Sequence, residues 1–190
     1  YYVCGRNGVL FSDVNLPCRI SNTFGVQALT TGDGLACTAI SPLMLSSPMV
    51  TTGIVAALIV FESIYKMQQI TGDAATGNLA MNVLNVATGT FAPNSIAASE
   101  YGLFFVSPHG LRLISLDAKI SPPIGDHGTG VSVPFIDTAQ ATRICAAANA
   151  NVIRISVQNG GVAGTPTQEY WYHINRKCWS GPHNFPPSLI

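Results

Sequence analysis

The chain has 190 residues, a formal net charge of zero, and 9% charged residues beside 47% apolar ones. An average soluble domain carries about 25% charged residues, and a basic surface is what binds phosphate, so the composition argues against a nucleic-acid-binding protein. A chain of this length can bury about 70% of its unfolded surface. A surface with so little charge is either covered by partners or protected by an unusually rigid fold, because a near-zero net charge promotes association, and this favours a subunit of an assembly.

The first segment, Tyr1 to Asp13, is predicted to form a β-hairpin. It places Asn7-Gly8, a strong turn signal, between two apolar runs. Because the chain opens on Tyr1 and not Met, inside this pattern, we expect a fragment or a processed piece of a longer protein. Val14 to Gly34 follows and is predicted to be a loop, since Asn, Pro and Gly interrupt it repeatedly.

Two short strands are predicted next, before the most apolar part of the chain. Leu35 to Ile40 forms the first of them and is closed by Ser41-Pro42, and Met44 to Val50 forms a brief further strand or turn. The region from Gly34 to Phe61 contains no charged residue. Its continuous apolar run is much shorter than the ~20 residues that a membrane helix needs, so we expect no membrane-spanning segment.

The stretch from Gly53 to Ile70 is predicted to be an apolar strand, a charged turn and a second strand. Ile54 to Phe61 is apolar on both faces, which is typical of a strand buried between layers. A helix is the alternative, because Ala, Leu, Met and Gln tolerate one, but the Val, Ile and Tyr residues favour strands. Ala74 to Thr90 is then a long connection with a short strand around Asn82 to Val86.

This stretch has two similar copies further along the chain, Ser95 to Leu116 and Arg143 to Val157. In each copy a pair of alanines precedes a strongly apolar run, and the pairs Ala56-Ala57, Ala97-Ala98 and Ala146-Ala147 lie 41 and 49 residues apart. Several short strands repeated at such a period are the signature of β-propeller blades.

The second half of the chain is predicted to consist of hairpins and polar loops. Leu111 to Leu116 alternates as a half-exposed strand does, whereas Ile120 to Phe135 is a loop that leads into a strand at Val131 to Ile136. An aromatic strand at Glu169 to Ile174 is followed by Lys177 to Ser180, and regular structure is expected to stop at Pro182.

No catalytic, cofactor-binding or metal-binding residue is predicted. The five cysteines lack the close spacing of zinc or redox motifs, so we expect buried free thiols, with a disulfide as the alternative; they are Cys4, Cys18, Cys37, Cys145 and Cys178. No GxSxG motif is present, and the four histidines are far apart in sequence, at His109, His127, His173 and His183. Asp126-His127, inside GDHGTG, could present a proton-transfer or metal-binding pair, but a simple turn explains the same residues.

The aromatic residues near the end of the chain allow two interpretations. Tyr170, Trp171, Tyr172 and Trp179 could form a stacking platform for a sugar ring or a base. Packing between β-layers is the favoured interpretation, because aromatic side chains dominate the energetics of such cores.

Two family resemblances follow from these segments. Gly160-Gly161, Tyr172 and Trp179 resemble one kelch-type blade, in which the Tyr and Trp of the outer hairpin pack blade against blade. More broadly, the chain from Gly8 to Pro182 resembles the β-propeller region of tail nozzle or tubular tail proteins of short-tailed bacteriophages, which are similar to packaged-DNA stabilisation proteins. The segments that carry this resemblance are FSD at 11–13, AALIVFESIYKMQQITGD at 56–73, NVATGTFAP at 85–93, YGLFFVSPHGLRLI at 101–114 and WYHINRKCWSGPH at 171–183.

The sequence thus predicts one all-β region over residues 1–190, with about three to four blades or part-blades of short antiparallel strands. The resemblance implies a non-enzymatic structural protein of the virion tail, assembled in the host cytoplasm as a ring of identical subunits. Its implied partners are other tail, portal or adaptor proteins and DNA that passes through without sequence-specific binding, and it implies no cofactor. The alternative is a propeller interaction module or glycan-binding module that contacts a host receptor.

Overall fold

The computed structural model describes residues 2–5, 8–12, 19, 29–30, 35–46, 54–73, 78–124, 138–157 and 168–183. These residues form antiparallel β-strands and two short 3-10 helices, and no α-helix occurs among them. The all-β fold class is therefore confirmed. The predicted loop at Val14 to Gly34 lies largely outside the described residues, as do the strand at Val131 to Ile136 and the GDHGTG segment.

The chain divides into two compact units, Tyr1–Gly89 and Thr90–Ile190. In the first unit, consecutive strands pair in chain order into a three-stranded sheet and a four-stranded sheet. The strands of the first sheet are β1 (Tyr2–Gly5), β2 (Gly8–Phe11) and β3 (Leu29–Thr30), and those of the second are β4 (Cys37–Ser46), β5 (Ile54–Glu62), β6 (Lys66–Asp73) and β7 (Asn78–Asn85).

The second unit repeats this chain-order pairing in two further sheets. The three-stranded sheet contains β8 (Ala97–Ser99), β9 (Gly102–Ser107) and β10 (Gly110–Ser115), and the four-stranded sheet contains β11 (Cys145–Asn149), β12 (Val152–Val157), β13 (Gln168–His173) and β14 (Cys178–His183). The 3-10 helices, Pro93–Ser95 and Thr138–Arg143, precede β8 and β11.

The predicted elements of the first unit are largely confirmed, and several are longer than predicted. β1 and β2 form the expected hairpin, with Gly5 paired to Gly8. β5 is a strand and not a helix, and Ile59, Val60 and Phe61 are fully buried, so both faces of this strand are covered. The short strand expected around Asn82 to Val86 is the eight-residue β7.

Two prolines that were expected to end strands lie inside them instead. Pro42 is paired with Leu58 in the middle of β4, so the separate strands predicted on either side of it are one. Pro182 lies within β14 in the same way. Both strands are edges of their sheets, where a residue without an N–H group can be accommodated because no second neighbour requires it.

The segment after β10 is more regular than the predicted loop. Ser121 N donates to Leu113 O at 2.9 Å and Ile124 N donates to Leu111 O at 2.8 Å, while Ser115 N donates to Lys119 O at 2.9 Å. Residues 119–124 therefore run along β10 and are joined to it by backbone hydrogen bonds and one isolated bridge, Ile114–Ile120, without forming a further strand of this three-stranded sheet.

The threefold repeat is confirmed for the second and third copies only. Ala97 and Ala98 lie in the first strand of a hairpin and pair with β9, and Ala146-Ala147 pairs with β12 in the same way. Ala56-Ala57 instead lies in β5, the same strand as the apolar run that follows it. The first copy is thus out of phase by one strand, and the Ala-Ala pair does not identify the same strand in all three copies.

The core of the second unit lies between its two sheets. Phe104 of β9 contacts Tyr172 of β13, with ring centroids 6.4 Å apart, and Tyr172 contacts Trp179 of β14 at 5.3 Å. Ile153 and Ile155 of β12 complete the buried cluster on the same face. The packing role predicted for Tyr172 and Trp179 is confirmed, since only 7% and 3% of their surfaces are exposed.

Candidate functional site

A group of hydrogen-bonded polar side chains lies on the second face of the β11–β14 sheet, opposite the core. Side chains alternate between the two faces of a strand. Because Tyr170 and Tyr172 pack against the core, Glu169, Trp171 and His173 lie on the other face. Strand pairing sets two rows across it, Cys145–Ser156–Glu169–His183 and Ala147–Arg154–Trp171–Ser180. We call these residues, together with His173, the polar face.

A buried carboxylate is the centre of this face. Glu169 is 5% exposed and accepts a hydrogen bond from Arg154 Nη2 at 3.0 Å and one from Trp171 Nε1 at 2.6 Å. Arg154 Nε also donates to it, so the Arg–carboxylate pair is bidentate. The Arg154 guanidinium, more than any other group, lowers the pKa of Glu169, and burial opposes this effect. Glu169 is therefore held as a carboxylate.

Trp171 is packed between charged and aromatic neighbours. Its ring centroid lies 4.6 Å from that of His183, and the Arg154 guanidinium carbon lies 5.7 Å from it. The indole N–H is already used by Glu169. The indole is therefore engaged within the sheet, which favours the packing interpretation over an open stacking platform.

Two histidines approach one hydroxyl group on this face. His173 Nε2 lies 3.0 Å from Ser180 Oγ, and His183 Nε2 lies 3.4 Å from the same oxygen. All three side chains are partly exposed. The pairing of β13 with β14 is irregular between Glu169 and Trp171, where two residues, Gly181 and Pro182, lie opposite the single residue Tyr170. This extra residue sets the position of His183 relative to Ser180.

The described cysteines are free thiols, as predicted. They are half-buried, whereas buried thiols were predicted. This holds for Cys37, Cys145 and Cys178, whereas the side chains of Cys4 and Cys18 are not described. Burial raises the pKa of the Cys145 thiol, which opposes formation of the reactive thiolate. The surroundings of Cys145 therefore do not favour cysteine chemistry.

The first unit contains a second buried carboxylate, at the β5–β6 turn. Glu62 is fully buried and accepts a hydrogen bond from Gln68 Nε2 at 2.6 Å. The Lys66 ammonium lies 3.1 Å from the other carboxylate oxygen as an ion pair, outside hydrogen-bond alignment. The predicted charged turn is thus partly internal, with the charge of the buried carboxylate balanced by the Lys66 ammonium.

Sequence spacing placed the histidines far apart, and the structure brings two of them together. His109 lies in the turn between β9 and β10, and Asp126 and His127 are outside the described residues. The sequence analysis missed the convergence of His173 and His183 on Ser180. The available signal was the alternation of Glu169, Trp171 and His173 along one strand, which predicts a shared face.

The described residues contain no group of three or more His, Cys, Asp or Glu side chains arranged to hold a metal ion. None of the elements within them is a helix of the length and hydrophobicity needed to span a membrane. No known protein-family model and no curated protein matches the chain.

Proposed function

We propose that the chain is a structural subunit of a short-tailed bacteriophage tail, in which β-propeller blades form part of a ring of identical subunits around the DNA exit channel. The observation that carries the proposal is the strand order. β4–β7 and β11–β14 are four-stranded antiparallel meanders in chain order, and β8–β10 is a three-stranded one beside which residues 119–124 hydrogen-bond to β10. Four-stranded meanders are the unit of a propeller blade.

The packing inside the second unit supports the same proposal. The two sheets of this unit bury a common core through Phe104, Tyr172 and Trp179. The Tyr101 hydroxyl, in the turn before β9, donates to Asn175 Oδ1 at 3.1 Å in the turn after β13, so a polar contact joins the same two sheets. Face-to-face contact between consecutive meanders is what adjacent blades require.

The arrangement of the charged residues supports a channel subunit that does not hold DNA. Among the described residues, three ion pairs neutralise charge locally: Glu62–Lys66, Asp117–Lys119 and Arg154–Glu169. The nine Lys and Arg residues are scattered along the sequence, which gives DNA little counterion-release driving force, so DNA can slide past without being held. In this proposal the tail is assembled in the host cytoplasm and carries portal or adaptor proteins as its neighbours.

The mass of the assembly and its retention of DNA test this function. The full chain at micromolar concentration is measured by mass photometry, and the assembled fraction is then passed over immobilised duplex DNA at physiological salt. We expect a closed oligomer of many copies that does not retain DNA. A stable monomer would contradict the ring, and tight sequence-independent DNA binding would contradict the passive channel.

A glycan-binding module is the second candidate, because Trp171 remains partly exposed beside polar groups. The contacts of its ring with His183 and Arg154 count against it. Binding of the full chain to a glycan array, lost on Trp171→Ala and retained on Tyr65→Ala, would favour this candidate over the tail subunit.

A further inference from the structure

Ser180 occupies a position on the polar face that the structural role does not use. Its hydroxyl oxygen lies 3.0 Å from His173 Nε2 and 3.4 Å from His183 Nε2. A hydroxyl group has one proton to donate and two lone pairs to accept with. The hydroxyl can therefore donate to only one of the two imidazoles, and a hydrogen bond with the other has that imidazole's N–H group as its donor.

The surroundings distinguish the two histidines. His183 pairs across the strands with Glu169, and its ring lies in a tilted contact with that of Trp171, whose indole N–H is bonded to that carboxylate. The strand register therefore places an acidic side chain and an aromatic ring beside His183. His173 pairs with Cys178 instead, so the register gives it no acidic neighbour in β14.

We infer that Ser180 is an activated nucleophile that accepts an acyl group from a small aryl ester, with His183 as its general base and His173 as the donor that orients its oxygen. A nucleophile within hydrogen-bond reach of a base, which is itself held by a third group, is the arrangement that activates serine. The inference is independent of the tail role, and it departs from the expectation that the chain has no catalytic residue.

The chemical step uses only groups of this face and the ester. Ser180 Oγ forms a bond to the acyl carbon while the bond from that carbon to the phenolate oxygen breaks. The hydroxyl proton passes to His183 Nε2 and from there to the departing phenolate or to solvent. Attack of water on the acyl-serine, with His183 again taking a proton, releases the carboxylic acid and restores Ser180.

The test is acetylation of the full chain by p-nitrophenyl acetate, followed by acid quenching and peptide mapping by mass spectrometry. Ser99 is the internal control, because its hydroxyl donates to a backbone carbonyl, Gly102 O, at 3.1 Å and none of the described histidines hydrogen-bonds to it. General base catalysis contributes roughly 10²–10⁴-fold, so we expect Ser180 to react at least about 100-fold faster than Ser99. Equal rates in the wild-type protein would overturn the inference without any variant.

Two variants test the assignment of roles. His183→Gln removes the base and is expected to lower the Ser180 rate to about that of Ser99. His173→Gln keeps an N–H donor and is expected to retain most of the rate. Near-UV circular dichroism confirms that each variant keeps its aromatic packing. A Ser180 rate that is unchanged in His183→Gln, or lost only in His173→Gln, would contradict the assignment.

Discussion

Replacing Phe104 with Ala removes the side chain that joins the two sheets of the second unit. Phe104 is 1% exposed and belongs to the cluster that includes Tyr172 and Trp179. Phe-to-Ala changes at buried sites cost about 3–5 kcal/mol, which combines the lost transfer free energy with the cavity left behind. A compact unit is stable by about 5–15 kcal/mol, so this one change removes a large share of its free energy of unfolding.

Urea denaturation followed by tryptophan fluorescence measures this loss. Both tryptophans of the chain, Trp171 and Trp179, lie in the β11–β14 sheet, so the signal reports on the second unit. With a slope of about 1–2 kcal/mol per molar urea for a unit of this size, the midpoint should fall by roughly 2 M or more. Tyr65→Ala, at a side chain that is 61% exposed in the first unit, is the matched control and should leave this transition within about 0.5 kcal/mol. A loss below about 1 kcal/mol for Phe104→Ala would refute a shared core between these sheets.

Three further predictions concern individual residues. Because Arg154 lowers the pKa of Glu169 below its ordinary value of 4.5, the pair stabilises the fold at neutral pH, and this stability is lost as the pH falls below that value. Arg154→Met should therefore lower stability at pH 7 in thermal unfolding and flatten its loss between pH 5 and pH 3; an unchanged pH profile would count against the pair. Lys119→Met should raise the pKa of Asp117 from about 2 towards 3.8, as measured by carboxyl NMR titration, and a value that stays near 2 would contradict the pairing. Gly102→Ala should destabilise the second unit by more than about 1 kcal/mol, because the φ angle of Gly102 is +133° and an added Cβ would meet a backbone carbonyl of β10. Wild-type stability of this variant would contradict the close approach of Gly102 to β10.

Most strands could be predicted because their signals are local. Ile54 to Phe61 combines a continuous apolar run with β-branched residues, and the structure forms it as a strand in which Ala57 to Phe61 are buried on both faces. Leu103 to Val106 is predicted and found in the same way, with all of β9 buried. Apolar runs bounded by turn residues carry enough information to place strands of this kind.

Edge positions could not be predicted, because they depend on which strand lies beside which. A proline ends a central strand but is tolerated at an edge, and only the pairing shows that β4 and β14 are edges. The loop predicted at Ile120 to Phe135 missed the pairing of its first residues with β10 for a related reason, since those hydrogen bonds involve backbone groups that no side-chain pattern reports.

The Ser180 site depends on register in the same way. His173 and His183 are separated by a turn and by the irregular pairing of β13 with β14, and a shift of one residue would send one imidazole to the opposite face. The faces of the sheet on which these His and Ser residues lie could not be assigned from the sequence. The packing and stacking interpretations of Trp171 stayed open for the same reason.

Electron cryomicroscopy of the native assembly that contains this chain tests the central claim most directly. The account predicts a ring of identical subunits around an open channel, with each four-stranded meander forming one blade and the sheet of β8–β10 packed against β11–β14 through Phe104 and Tyr172. A free monomer whose blades close into a complete propeller, with no channel between subunits, would contradict it.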